Sequence, residues 1–478
     1  MAGPSLTDFR IPHLGVQDGD FSPRDHWVVP DVVHADDVGA PMVIIRTLMM
    51  FGILGMLTGA EELTPTPLTL PEAIAISVAE HPDAAVAQAR IAAAQARLRQ
   101  ANAALSPRVS IGSSYTITDQ PAMAFMGLIN HGAYSPAINA NEPPIVDNLN
   151  LGATIQVPLY SPGTWSGRAA ATHGAAAAHA AQEVAREALT MTTVQAFIGV
   201  HRALAHVSAA QSTLAATEAN LATARTRHDA GTLSKADLLG QQAQLAGARS
   251  HIAATKGGLE LAGQALASAL GRSGSIILVA ALPDLVVPTE VPSGDKPEQT
   301  AAREQVAASD AGLEQARAMH LPSLGAFGGY DYDRGFRQAS DGQSWHVGIG
   351  VEWTLFAGGG IQGGIEEATA KRAAARAELL RIALQIEQGR AAARTRFSTI
   401  TEQLAAAQAQ VFAAEEAERL QAERFAAEAA TATDLVGAEA TLAQARATVA
   451  DAQAGLAMTI ADMRWQYGLP IISNSLSK

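Results

Sequence analysis

The chain has 478 residues, no Cys, a formal net charge of −13 and a hydrophobic share of 48%, of which aromatics supply only 5% of the chain and Ala is the commonest member. An acidic chain without a Lys/Arg run argues against a nucleic-acid binder, whose affinity rests on neutralising phosphates. The missing Cys removes disulfide scaffolds, thiolate metal sites, Cys nucleophiles and the lipid-modified Cys of a bacterial lipoprotein.

Residues 1–41 are polar, rich in Pro and Asp and aperiodic, and read as a disordered leader or a stretch ahead of a true start at Met42. Over 42–60, a basic lead at Arg46, an apolar core from Thr47 to Leu57 and the small-residue exit Thr58-Gly-Ala60 follow the pattern of a secretory signal peptide. That core is too short to span a membrane, which takes about 20 apolar residues.

Beyond it one plan runs twice, over 61–290 and 291–470, with 471–478 read as a disordered tail. A shift of 197 relates Arg227 to Arg424, Asp237 to Asp434, Leu238 to Leu435 and Arg249 to Arg446. Each half opens on a helical stretch, 71–104 and 295–319. Two alternating stretches follow in each: 107–118 and 148–160, then 322–332 and 345–356. Alternation of this length predicts strands with two unlike faces. Then come Pro-free runs over 165–228 and 360–427, where Val200, Val207, Leu214 and Leu221 recur every seven residues and Phe397, Leu404 and Val411 repeat the spacing. A seven-residue apolar period is that of coiled coils. Breaks at 228–234 and 426–431 lead back into helical pattern up to about 270 and 468, so each half predicts a long antiparallel helical hairpin. The fold class is mostly α, with four strands per chain set apart from the helices.

Of the 18 aromatics after residue 60, 12 fall within 107–165 and 322–356. Tyr115, Tyr160, Tyr330, Tyr332, Trp345, Trp353 and Phe356 would form girdles at strand ends, where amphipathic rings sit at membrane interfaces. An ordinary β-domain with a ring-rich core is the alternative. Strands of about 11 residues cross a bilayer when tilted, but an open edge leaves backbone groups unpaired in hydrocarbon. Several chains must then pool strands into one barrel, and a water-filled lumen favours three or more chains. Ser110, Ser113, Thr116, Thr118, Thr154 and Gln156 suit its wetted face.

The order helix, strand pair, helical hairpin, repeated once, resembles the TolC-type outer-membrane efflux factors. The resemblance is carried by Leu70-Pro-Glu-Ala-Ile-Ala-Ile-Ser-Val-Ala-Glu-His-Pro82, Leu105-Ser-Pro-Arg-Val-Ser110, the joints Val157-Pro-Leu-Tyr160 and Trp353-Thr-Leu-Phe-Ala-Gly-Gly-Gly360, and the turn Ala230-Gly-Thr-Leu-Ser-Lys-Ala-Asp-Leu-Leu239. It covers about 63–470. It implies a homotrimer with a 12-stranded barrel in outer-membrane lipid and a helical tube in the periplasm. The tube would meet a periplasmic adaptor (membrane fusion protein) and an inner-membrane pump, serving efflux or type I secretion. No catalysis, cofactor, metal or nucleic acid is expected, and anchoring is by the barrel without a lipid. A periplasmic coiled-coil scaffold or adaptor with a soluble β-domain is the alternative.

In that family the helix turns close the periplasmic entrance. Ser234-Lys-Ala-Asp237 and Thr431-Ala-Thr-Asp434 both fit the N-terminal capping pattern, and three copies of each acid could add a negative ring that favours cations. Asp434 is the stronger candidate, with Asp237 and Glu428 beside it; Gly437 stands where relatives often carry a second acid. Gly231, Thr232, Leu233, Ser234 and Thr431 are the candidates for contact with adaptor or pump. Gly358-Gly-Gly360-Ile-Gln-Gly363 satisfies G-x-G-x-x-G, but the strand before it carries Gly348, Gly350 and Glu352 instead of the apolar run of a buried parallel strand. Those glycines read as a bend from strand to helix.

Overall fold

Prolines and hydroxyl caps set the helix ends. The computed structural model describes residues 67–139, 141–290 and 294–472, all within one unit spanning 65–478. The leader at 1–41, the signal peptide at 42–60 and residues 473–478 lie outside them. The helix expected over 71–104 is two helices, α1 (Leu70–Glu80) and α2 (Pro82–Ala103), because Pro82 has no N–H to donate and its ring excludes helical backbone at the residue before it. Thr69 closes a capping box with Glu72 at the start of α1, and the His81 ring accepts from the Asp83 N–H at 3.1 Å to cap α2.

β1 (Arg108–Thr118) is followed by α3 (Pro121–Asn130), a helix within the segment 119–150 that had no predicted element, and then by β2 (Val146–Tyr160). The first hairpin is α4 (Pro162–Asp229) with α5 (Lys235–Ala269). The second repeat supplies α6 (Pro297–Ala318), β3 (Ser323–Gly335), β4 (Ser340–Glu352) and the hairpin of α7 (Gly360–Ala426) with α8 (Ala432–Gln466). α4 and α7, of 68 and 67 residues, each run about 100 Å at 1.5 Å per residue. Strands β3 and β4 are joined by a short turn, so β4 begins five residues before Trp345 and ends before Trp353.

The four strands form one antiparallel sheet in the order β1-β2-β3-β4. Side chains alternate across it. On one face the register aligns Val109, Ile111 and Tyr115 of β1 with Ile155, Ala153 and Leu149 of β2, and Tyr330 of β3 with Trp345 of β4. The other face carries Ser110, Thr154, Asn148, Asn150, Asp331, Asp333, Ser344 and His346. The register shift between Pro158 and Tyr160 is a bulge that brings Tyr160 opposite Leu324, on the apolar face that regular alternation would deny it. Ser113, expected on the wetted face, pairs with Leu151 on the apolar one; its odd position, like that of Ile111, decides this.

The largest core lies where α1, the middle of α4 and the C-terminal ends of α5 and α8 meet: Leu70, Val194, Phe197, Leu266 and Leu270 are all buried there. Ile471 and Ile472, read as tail, belong to the folded chain, Ile471 buried in this core and Ile472 packed against it. Along the hairpins the heptad seam is buried or half-buried, from Val200 to Leu221 and from Phe397 to Val411. Ion pairs repeat with the plan: Arg249 reaches Glu218 at 3.4 Å, and their counterparts Arg446 and Glu415 meet at 3.1 Å. Exposed pairs of this kind contribute about 0–1 kcal/mol each.

Candidate functional site

The two helix turns pack together at one end of the hairpins. Ala224 of α4, Phe425 of α7 and Ala432 and Leu435 of α8 form a buried cluster, with Leu233 and Leu238 against it. The backbone of the two turns is the same. Thr232 N–H donates to Arg227 O at 2.9 Å, and Ala429 N–H to Arg424 O at 2.7 Å, each satisfying a carbonyl that the helix end leaves free. At the position between helix and turn, Gly231 has φ +80° and Glu428 φ +64°. Gly adopts that left-handed region freely, whereas a residue with a Cβ is strained there by about 1 kcal/mol.

The caps hold as expected. Ser234 Oγ accepts from Asp237 N–H at 3.1 Å and lies 2.6 Å from its carboxylate. Thr431 accepts from Asp434 N–H at 3.2 Å, while its own N–H and hydroxyl donate to Asp434 Oδ2 at 3.0 and 2.7 Å. The Thr431 hydroxyl first, then its N–H, hold the Asp434 carboxyl below the usual range, with help from Arg424. Asp434, Glu428, Thr431, Ser234, Thr232 and Gly231 are exposed, and Asp237 and Leu233 half-buried.

Behind the turns, the repeat marks Arg227 but not the contact it makes. Arg227 donates through Nη1 to Phe425 O at 2.5 Å and lies 4.6 Å over the Phe425 ring, bracing one hairpin on the other. Asn220 of α4 donates to the buried Glu439 of α8. Burial pushes the Glu439 carboxyl up and Glu418 adds to it, against the pull of Asn220. Asn220 and Glu439 have Ala417 and Gln242 as repeat counterparts, so no doubled motif marks them.

At the other end of the hairpins the apolar face of the sheet is uncovered in a single chain: Ile111 is 83% exposed and Val347 73%. On β4 the apolar run Val347, Ile349 and Val351 is bounded on one side by Trp345, level with Tyr330, and on the other by Trp353. Tyr332 pairs with Gln343, one step beyond that first boundary, where Asp341 and Arg334 begin a polar end. Tyr160 stacks edge-on against Trp165 with centroids 5.3 Å apart, Trp353 donates its indole N–H to His320 O at 2.9 Å, and Phe356 is 86% exposed. Tyr115 lies at the far end, bonded to Asp147 at 3.1 Å. Thus Tyr160, Trp353 and Phe356 sit at the helix end of the sheet, while Tyr330, Tyr332 and Trp345 lie partway along the strands instead of at their ends. The glycine run is a turn: Gly359 has φ +85° and precedes α7, and the strand before it is antiparallel to its neighbour.

The family profile described as outer membrane efflux protein matches residues 74–272 and 295–464. No curated protein matches the chain. Among solved structures, the outer membrane protein VceC from Vibrio cholerae is similar at 20% identity and TM-score 0.73, covering 84% of this chain and 97% of its own. The Campylobacter jejuni CmeC outer membrane channel gives 18% identity and TM-score 0.74, covering 84% and 85%. The open state of the Neisseria gonorrhoeae MtrE outer membrane channel gives 20% and 0.69, covering 84% and 89%. At these identities the likeness is one of fold.

Proposed function

This chain belongs to the outer membrane efflux protein family, and we propose that it acts, as a homotrimer, as the passive outer-membrane exit duct of a tripartite efflux or type I secretion system. The observation that carries the reading is the sheet, with one apolar face, one polar face and unpaired edges at β1 and β4. Unpaired edges are not tolerated in hydrocarbon. Neighbouring strands run antiparallel from β1 to β4, so β4 of one chain and β1 of the next have the directions needed to continue the sheet, and three chains close it with twelve strands.

The polar face then lines a lumen and the apolar face meets lipid. From Trp345 to Trp353 is roughly 26 Å along the strand, which a tilt of about 40° brings to roughly 20 Å, near the height of an outer-membrane apolar band. In this reading Trp345, Tyr330 and Tyr332 mark one interface and Trp353, Phe356 and Tyr160 the other. The hairpins extend the duct through the periplasm, and the turns at 230–234 and 427–431 meet an adaptor and an inner-membrane pump that drives passage. Asp434, Asp237 and Glu428 supply negative charge around the entrance.

Membrane fractionation, a heat-sensitive trimer on gels and conductance in planar bilayers test the duct; a soluble periplasmic monomer would overturn it. For the entrance, Asp434→Ala combined with Glu428→Ala should lower the cation preference of single channels. Unchanged selectivity removes both residues from that role.

A further inference from the structure

The helix α3 folds back onto the polar face of the sheet. Alternation places Val146, Asp333, Gly335, Ser340 and Gly342 on that face, the one that lines the lumen of a trimeric duct. α3 lies across it, against β2, β3 and β4. Ala124 and Leu128 are buried on Val146, and the wholly buried His131 holds Nδ1 2.7 Å from Ser340 Oγ. A Cβ at Gly342 would collide with Asn130 O, so a glycine is needed there for the end of the helix to come so close. Gly342 pairs with Asp333, three residues beyond Trp345 and thus roughly 10 Å past the apolar band. The hairpins leave from the opposite end of the sheet, so α3 sits in the outer mouth.

This helix is apolar on every side. Pro121–Asn130 carries no charge. Ala124, Gly127 and Leu128 are buried, while Met123, Met126 and Ile129, three residues apart, form a stripe on the opposite side that is about half exposed in a single chain. A helix that is hydrophobic all round belongs in a buried place. Lipid does not reach the stripe, which lies inside the wall and beyond the apolar band, but other copies of the chain do. Twelve strands about 4.8 Å apart and tilted about 40° close a wall about 24 Å across at the backbone. Three helices, each about 10 Å thick with side chains, fill a circle of roughly 22 Å. The stripe points away from its own sheet, hence towards the axis where the three copies meet.

We propose that α3 is an apolar plug: the Met123, Met126 and Ile129 stripes of three chains pack together at the barrel axis and close the outer mouth to water and polar solutes. An apolar constriction blocks passage by dewetting, and unbranched Met side chains can repack around an outgoing molecule. The plug rests on the trimeric duct proposed above.

The chain lacks Cys, so an introduced thiol reports alone. In trimers of the full chain recovered from outer membranes, a short bismaleimide should join Met126→Cys into dimers on denaturing gels. Closure is read at His346→Cys, on the luminal face one residue inside Trp345, by labelling intact cells from outside with a polyethylene-glycol maleimide too large for general porins. Adding Met123→Glu and Met126→Glu, which places carboxylates from three chains against one another, should speed that labelling at least tenfold. Both positions are exposed in the single chain, so its own fold is kept, and the cross-link reads the plug even if the glutamate variant fails to assemble. Absence of a trimer overturns the duct and the plug together. A trimer in which Met126→Cys stays unlinked, or in which His346→Cys is labelled equally fast with and without the glutamates, overturns the plug alone.

Discussion

Glu428 stands where Gly231 stands in the first repeat, with the same left-handed backbone. Glu428→Gly should therefore relieve strain of about 1 kcal/mol, and hydrogen exchange of the amides at 427–431 should slow by about fivefold; exchange that is unchanged or faster removes the strain. The sequence alone marks this position, because a shift of 197 carries a turn glycine onto a glutamate. Asp434 adds a pH dependence. Its carboxyl is held below the usual range by Thr431, so the folded turn favours the ionised form. The stabilisation is present above the ordinary carboxylate range and fades as pH falls through the depressed value. Protection of the first amides of α8, corrected for intrinsic exchange, should fall in that acid window. Thr431→Ala should flatten the dependence and weaken the cap by about 1 kcal/mol.

The elements were read well where local chemistry decides them. Pro162, Ser234, Pro297 and Thr431 stand at helix starts, and the heptad seam marks the hairpins. The misread helix at 71–104 shows the opposite case: Ala-rich periodicity continues through Pro82, but a missing N–H ends the helix whatever the neighbours favour. The helix α3 carries the same start signal, Pro121 at its first position, but its ten residues are too few to show a helical period, and what holds it is the packing of Ala124 and Leu128 on Val146. Between elements, Arg227 ties α4 to α7 through a carbonyl and a ring. Arg227→Met keeps the stem and removes both contacts, so it should loosen the turns by about 1 kcal/mol and speed exchange at 425–435. Arg424→Met, its exposed counterpart in the repeat, should have a smaller effect. Equal effects from the two would mean that the brace contributes nothing beyond charge.

At the scale of the whole molecule, alternation in the sequence supplied the strands, but only the register decides which residues share a face, as Ser113 and the bulge before Tyr160 illustrate. What a single chain leaves open, an uncovered apolar face and two bare strand edges, is the strongest constraint on the assembly, and adjacent residues of β4 can test it. Val347 and His346 differ by one position and lie on opposite faces. If the apolar face meets lipid, Val347→Arg places a cation within the apolar band, at a cost of about 2–4 kcal/mol per chain near the bilayer midplane. A trimer bears that cost three times. His346→Arg adds the same charge to the wetted face and is tolerated. Heat-sensitive trimer recovered from outer membranes should thus be lost for Val347→Arg and kept for His346→Arg. The reverse result would turn the barrel inside out, and equal tolerance would remove the lipid from the apolar face.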